Sequence, residues 1–157
     1  MKICLLVIGK TDVGYVHAGV EEYEKRLKYY TSYEMQVIPD IKNRKSLTET
    51  QQREREGELI MGRLEGTDVV ILLDERGGEY TSKGFAEFLA QKMLAGVKRL
   101  VFVVGGPYGF SEQVYKQAQG KVSLSKMTFN HQMVRMIFAE QLYRAMTILK
   151  GEPYHHE

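Results

Sequence analysis

The sequence predicts an α/β fold, an open and mostly parallel sheet flanked by helices, on three observations. Short β-branched runs alternate with longer stretches of helical period along the whole chain. A late apolar strand, Val101-Phe102-Val103-Val104, runs straight into Gly105-Gly106, a strand-to-loop turn typical of such sheets. The chain has 157 residues, 43% of them hydrophobic. That is enough for one domain, 1–157, with a real core, and too little for a second module.

Five strands are readable: Lys2 to Gly9, Glu34 to Pro39, Asp68 to Asp74, Arg99 to Val104 and Val122 to Leu124. Five helical segments lie between and after them. In the first, Val16, Val20, Tyr23, Leu27 and Tyr30 recur at alternating four- and three-residue spacing, the apolar stripe of a helix packed on the sheet. Lys42 to Arg63 mixes Lys42, Arg44, Lys45, Arg53, Arg55 and Arg63 with many glutamates, and its apolar residues gather only near Leu59, Ile60 and Leu64. It reads as a loop followed by a solvated helix. Thr81 and Ser82 can cap the next helix, whose face is Phe85, Phe88, Leu89 and Met93 and which Gly96 ends. The last helix, Gln132 to Leu149, carries a stripe of Val134, Phe138, Leu142, Ala145 and Leu149, widened sideways by Met133, Met136 and Ile137. So wide an arc needs a second covering surface, either a partner subunit, which makes a homodimer, or a neighbouring helix of the same chain.

Composition removes several classes of function. No apolar run approaches the roughly 20 residues that a membrane span needs. Met1 to Gly9 reads as a first strand rather than a signal peptide, because a charged helix and no small-residue cleavage site follows. The single cysteine, Cys4, reads as core packing; it leaves no internal disulfide and fits a reducing compartment, so a cytoplasmic location is expected. His17, His131, His155 and His156 lack the spacing of a zinc site, and no metal is expected. A formal charge of +2 does not announce nucleic-acid binding, which needs a local basic surface rather than a global excess.

Chemistry is concentrated in three segments. In Gly105-Gly106-Pro107-Tyr108-Gly109-Phe110-Ser111 the glycines let backbone approach a ligand, and Ser111 can cap a helix facing the same crevice; turn geometry alone would also explain them. Gly9-Lys10-Thr11 is not a phosphate-binding P-loop, because Cys4 stands where the motif needs its first glycine, and Gly105, Gly106 and Gly109 do not make a dinucleotide fingerprint. The loop Leu124-Ser125-Lys126-Met127-Thr128-Phe129-Asn130-His131 interleaves hydrogen-bonding and apolar side chains, as a folded adenosine-like ligand requires. The ending Gly151-Glu152-Pro153-Tyr154-His155-His156-Glu157 would ordinarily be read as a frayed terminus.

Taken together, Phe102 to Gly109, Leu124 to Arg135, Glu140-Gln141-Leu142-Tyr143-Arg144-Ala145 and Pro153-Tyr154-His155 closely resemble the ribosomal large-subunit pseudouridine N3-methyltransferase family, a minimal branch of the SPOUT or α/β-knot superfamily. The resemblance runs from Met1 to the C-terminus. It implies a homodimer with a C-terminal trefoil knot, S-adenosylmethionine as consumed methyl donor, and 23S ribosomal RNA within the ribosome as partner. The positions matching the family's cofactor site are Leu73, Gly105, Leu124, Ser125, Lys126, Met127, Thr128 and Phe129; those matching its catalytic side are Arg144, Tyr154 and His155. Asn130 stands where the family usually has proline and is expected to loosen the approach to His131. Glu75-Arg76-Gly77-Gly78 is more charged than the matching family loop, and no role is carried over to it.

Methyl transfer to an imide nitrogen needs an in-line nucleophile and the removal of one proton. On the resemblance, His155 is a candidate base, Tyr154 could stack on or hydrogen-bond the nucleobase, and Arg144 could stabilise the developing anion or hold a phosphate. Two competing readings stand beside this one: a ribosome-associated binding protein that has lost catalysis, and a knotted enzyme acting on tRNA.

Overall fold

The computed structural model describes residues 1–156. Its first strand, β1 (Lys2–Ile8), lies inside the sheet, and its side chains alternate between two cores as the two-residue strand period demands. Ile3, Leu5 and Val7 enter one core, and Cys4 and Leu6 the other. Burial pushes the Cys4 thiol up to about 11, so it behaves as an apolar core group. β2 (Ser32–Ile38), β3 (Val69–Glu79), β4 (Arg99–Val104) and β5 (Gly120–Ser123) complete a five-stranded sheet of order β2-β1-β4-β3-β5, with every pairing parallel.

Helices cover both faces, so the inner strands β1 and β4 are apolar after their first residue, while the edge strand β2 alternates, with Ser32 and Glu34 exposed. α1 (Gly14–Leu27), α3 (Ser82–Leu94) and α5 (Met133–Leu149) pack on one face, where Leu27, Phe85, Leu89, Phe138 and Leu142 join the larger core. α2 (Glu49–Met61) and α4 (Glu112–Gln117) pack on the other, contributing Ile60 and Val114. Thr81 and Ser111 cap α3 and α4, their hydroxyls accepting from Gly84 N and Val114 N.

Three expectations are corrected here. β3 continues past Asp74 to Glu79, because β5 offers it a second stretch of backbone to pair with. α2 is not a solvated helix: Gln52, Glu56, Gly57 and Ile60 are buried, and a polar sequence concealed a packed face. In α5 the wide arc is largely covered within the chain, since Phe138, Ala139, Leu142, Ala145 and Met146 lie in the core and Met136 seats its sulfur where Gly19 of α1 lacks a side chain. Leu149, placed in the buried stripe by periodicity, is 40% exposed at the helix end.

The largest buried side chain is not apolar. Arg135, 1% exposed, donates from Nη1 to Gly9 O (2.8 Å) and Thr11 Oγ1 (2.9 Å), from Nη2 to Ile8 O (2.9 Å) and from Nε to His131 O (3.1 Å). Beside it Gln132 Nε2 donates to Lys10 O, and Asp12 N donates to Gln132 Oε1. The exit of β1 is thereby fastened to the start of α5. Replacing Arg135 with methionine strands these acceptors in a dry interior, and urea unfolding should show a loss of about 3–5 kcal/mol, far more than a surface arginine would cost.

Candidate active site

At the carboxyl ends of β3, β4 and β5 the strands give way to loops that enclose a cavity of about 570 Å³. This is where open α/β sheets place their ligands. Leu73 at the β3 bend, Gly105 after β4, and Leu124, Ser125, Met127, Thr128 and Phe129 after β5, all among the expected cofactor positions, line it. Lys126 does not: it is exposed and its ammonium lies 3.7 Å from Glu79. The lining also includes Asp74, Arg76, Tyr115 and Val134, which sequence reasoning did not single out.

Each wall is shaped locally. Behind the glycine loop, a Cβ on Gly106 would fall 2.4 Å from Glu56 Oε1, so only glycine lets this loop lie flat against the buried α2 carboxyl. Burial pushes the Glu56 carboxyl up, and its Oε1 has no hydrogen-bond partner among the described residues. In the loop after β5, Ser125 Oγ accepts from Met127 N at 2.9 Å and Ser123 Oγ donates to Ser125 O at 2.9 Å, folding the segment on itself. Thr128 Oγ1 donates to Glu75 Oε2 across the mouth at 3.3 Å.

Asp74 anchors the opposite wall. Tyr115 OH donates to its Oδ2 at 2.7 Å, and Arg76 N donates to its Oδ1 at 2.9 Å. Burial pushes the carboxyl up, but these hydrogen bonds and the Arg76 guanidinium outweigh it and hold Asp74 below the ordinary carboxylate range. Asp74 is therefore an acceptor that orders its neighbours.

Arg144 on α5 forms a separate cluster with Tyr154 and His155 of the segment after it, beside Tyr23 of α1. Arg144 Nη2 donates to Glu140 Oε1 at 2.5 Å, and its guanidinium carbon stands 4.8 Å from the Tyr154 ring centroid. Tyr154 OH donates to the same Glu140 oxygen at 3.1 Å, and its ring meets Tyr143 edge-on at 4.7 Å. Arg144 Nη1 lies 3.1 Å from His155 Nδ1. A guanidinium can only donate, so Nδ1 accepts and the neutral ring carries its proton on Nε2. Tyr154 and His155 are half-buried, not a frayed end. This cluster does not reach the cavity. Val134 lines the cavity and Arg144 is ten residues further along the same helix, about 15 Å at the helical rise.

The cavity, its two loops and the parallel sheet define a class. The chain belongs to the SPOUT methyltransferase family, whose model, described as a predicted SPOUT methyltransferase, matches residues 1–155. Among named relatives, it is 63% identical to the ribosomal RNA large subunit methyltransferase H of Parabacteroides distasonis over 157 residues, 100% of both chains. It is 59% identical to that of Flavobacterium johnsoniae and 55% to that of Bacteroides thetaiotaomicron, again over the full length of each. Its backbone is similar to a probable methylase family protein from Haemophilus influenzae Rd KW20, with a TM-score of 0.51 at 14% identity, covering 95% of this chain and 66% of that one. That likeness concerns fold alone.

Asn130 corrects another expectation. Rather than loosening the approach to His131, its Oδ1 accepts from Gln132 N (2.7 Å) and Met133 N (3.4 Å), closing the first turn of α5 as a cap. Asn130→Ala should lower stability by about 1 kcal/mol in urea titration, and hydrogen exchange should show the added opening at Gln132 and Met133 first.

Proposed function

We propose that the protein is an S-adenosylmethionine-dependent methyltransferase acting on N3 of a pseudouridine in 23S ribosomal RNA, on the assembled ribosome and in the cytoplasm, with a C-terminal trefoil knot framing its cofactor cavity. The observation that carries this reading is the cavity at the ends of β3, β4 and β5, in a chain whose full-length relatives are named ribosomal RNA large subunit methyltransferase H. The residues present fit the cofactor. Leu73, Val104, Leu124, Phe129 and Val134 offer apolar walls for an adenine, the side-chain-free Gly105 and Gly106 allow close backbone approach, and the volume suits a ligand of this size. Gly105 to Pro107 and the 124–129 loop would hold it.

When bound, S-adenosylmethionine supplies an already electrophilic methyl group, so the protein's work is alignment and the handling of one proton. Arg144 and His155 are suited to the negative charge that develops on the imide as its proton leaves. With Nδ1 turned to Arg144, the two side chains act together, and the guanidinium supplies the positive charge that favours stabilising a carbonyl oxygen of the nucleobase. For His155 to take the N3 proton itself, Nδ1 must first leave Arg144. Tyr154, held by Glu140 and Tyr143, supplies an aromatic face at the same place.

The separation of about 15 Å along α5 gives the homodimer a chemical purpose. A tail cluster that cannot reach its own cavity can serve the cavity of a second copy, as in a symmetric dimer with two composite sites.

Incubating unmodified ribosomes and tRNA with enzyme and cofactor, then analysing nucleosides by mass spectrometry, should yield methylated pseudouridine from large-subunit RNA. Methylation of tRNA instead would favour the other knotted class, and no cofactor binding by calorimetry at millimolar concentration would favour a non-catalytic binding protein. Gly105→Val, whose Cβ alone would press to 3.1 Å from the Phe110 ring, should abolish cofactor binding. Truncation after Pro153 should abolish methyl transfer and leave cofactor affinity within about threefold. Co-expressing the two defective chains should restore about a quarter of wild-type activity, the share of intact composite sites in randomly mixed dimers. No recovery would mean that each chain works alone.

A further inference from the structure

The charged stretch Glu75-Arg76-Gly77-Gly78 has no part in the chemistry above, yet the fold gives it a defined place. Leu73 and Gly78 of β3 both stand opposite Val122 of β5, so Asp74 to Gly77 leave the ladder as a bulge. Gly77 makes this possible: a Cβ there would lie 2.6 Å from the carbonyl carbon of Lys121. The close approach brings Arg76 and Lys121 to one aromatic ring. The Arg76 guanidinium carbon is 5.7 Å and the Lys121 ammonium 5.6 Å from the Tyr115 centroid. Arg76 Nη2 also donates to Tyr115 OH at 2.6 Å.

These residues line a second cavity of about 440 Å³, with Ala118, Gln119 and Gly120 completing it. Arg76 and Tyr115 are shared with the first cavity, so the two adjoin through one wall. Asp74, the nearby carboxylate, is already engaged by Tyr115 and Arg76, and Lys121 has no carboxylate within ion-pair distance among the described residues. Arg76 is paired with Asp74 at 3.5 Å, whereas the Lys121 charge beside it on the same ring has no carboxylate partner among the described residues, a local positive charge that an anion would relieve.

We infer that Arg76 and Lys121 form a binding site for a backbone phosphate of the substrate RNA, next to the target nucleotide. The inference rests on the RNA methyltransferase reading above. A phosphate fits better than the cofactor's own carboxylate because Lys121 lines only the second cavity, outside the space assigned to the cofactor. Arg76 and Lys121 are both exposed, as cations that meet a nucleic-acid strand must be, and with both over its ring Tyr115 supports charge instead of stacking a base. Such a contact holds the strand while a base is turned out toward the methyl donor.

The test is the salt dependence of binding to unmodified ribosomes, measured by filter retention, for wild type, Arg76→Gln, Lys121→Gln and the double variant. Each single change should weaken binding about tenfold at moderate salt, and should lower the slope of log K against log salt by roughly 0.7 to 0.9, the value for one lost phosphate contact. For Lys121→Gln, which lies outside the cofactor's cavity, cofactor affinity by calorimetry should stay within about twofold, and KM for ribosomes should rise with kcat little changed. The Lys121 side chain makes no hydrogen bond among the described residues, so its variant tests the site without endangering Tyr115. Unchanged affinity and slope in both single variants would overturn the inference and leave the cations as solvated surface. Loss of cofactor affinity in Lys121→Gln would overturn it in favour of the cofactor's carboxylate. Because binding is read apart from methyl transfer, variants that lose slope in a protein that methylates nothing would sink only the functional reading.

Discussion

Arg135 brings a full positive charge into the interior at the junction of the first strand and the last helix, where four acceptors from Ile8, Gly9, Thr11 and His131 surround it. Burial lowers its pKa, and the neutral carbonyls, rather than a paired carboxylate, satisfy its donors. The arrangement fixes where α5 begins. Since the loop after β5 leads directly into α5, and Asn130 and His131 belong to both, the cavity's far wall inherits its position from this one guanidinium. Hydrophobic packing could place α5 on the sheet in several registers; a fork of directed hydrogen bonds admits one.

The site is a set of loops whose shapes are each enforced from behind. Glu56 stands behind Gly106, Asp74 and Tyr115 hold the β3 bulge, and Ser125 closes the loop after β5 on itself. None of these supports needs to touch a ligand to matter, because a cavity built on loops keeps its form only through such backing. The tail cluster is organised likewise, with Glu140 receiving both Arg144 and Tyr154 and so setting the distance between cation and ring.

Much of the fold was legible because its strands are apolar runs bounded by charged helices and glycine turns, and because Thr81 and Ser111 sit where caps belong. Most of the predicted cofactor positions fall on one cavity because glycine and interleaved polar-apolar residues mark a crevice by composition. What stayed hidden was set by tertiary contacts. Tyr115 and Asp74 are unremarked in sequence, and only the pairing of β3 with β5 brings them together. Beside Ile60, the packed face of α2 consists of Gln52, Glu56 and Gly57, which no hydrophobic period reveals. Of the two covers that the arc of α5 allowed, periodicity could not show how much the chain itself supplies, where Gly19 admits Met136 and α1 and α3 flank the helix. Lys126 followed its neighbours in sequence but not in space, turning outward to Glu79.

The strand order has a consequence for how the molecule comes into being. β1 is made first yet lies inside the sheet, and its second neighbour, β4, pairs Arg99 with Lys2. Its exit stays unanchored until Arg135 arrives, 127 positions after Ile8. An emerging N-terminal half therefore holds an apolar strand with one edge bare, a species prone to sticking to others of its kind. Contacts so distant along the chain also make closure slow. The final anchoring of the first strand therefore waits for the last helix of the chain.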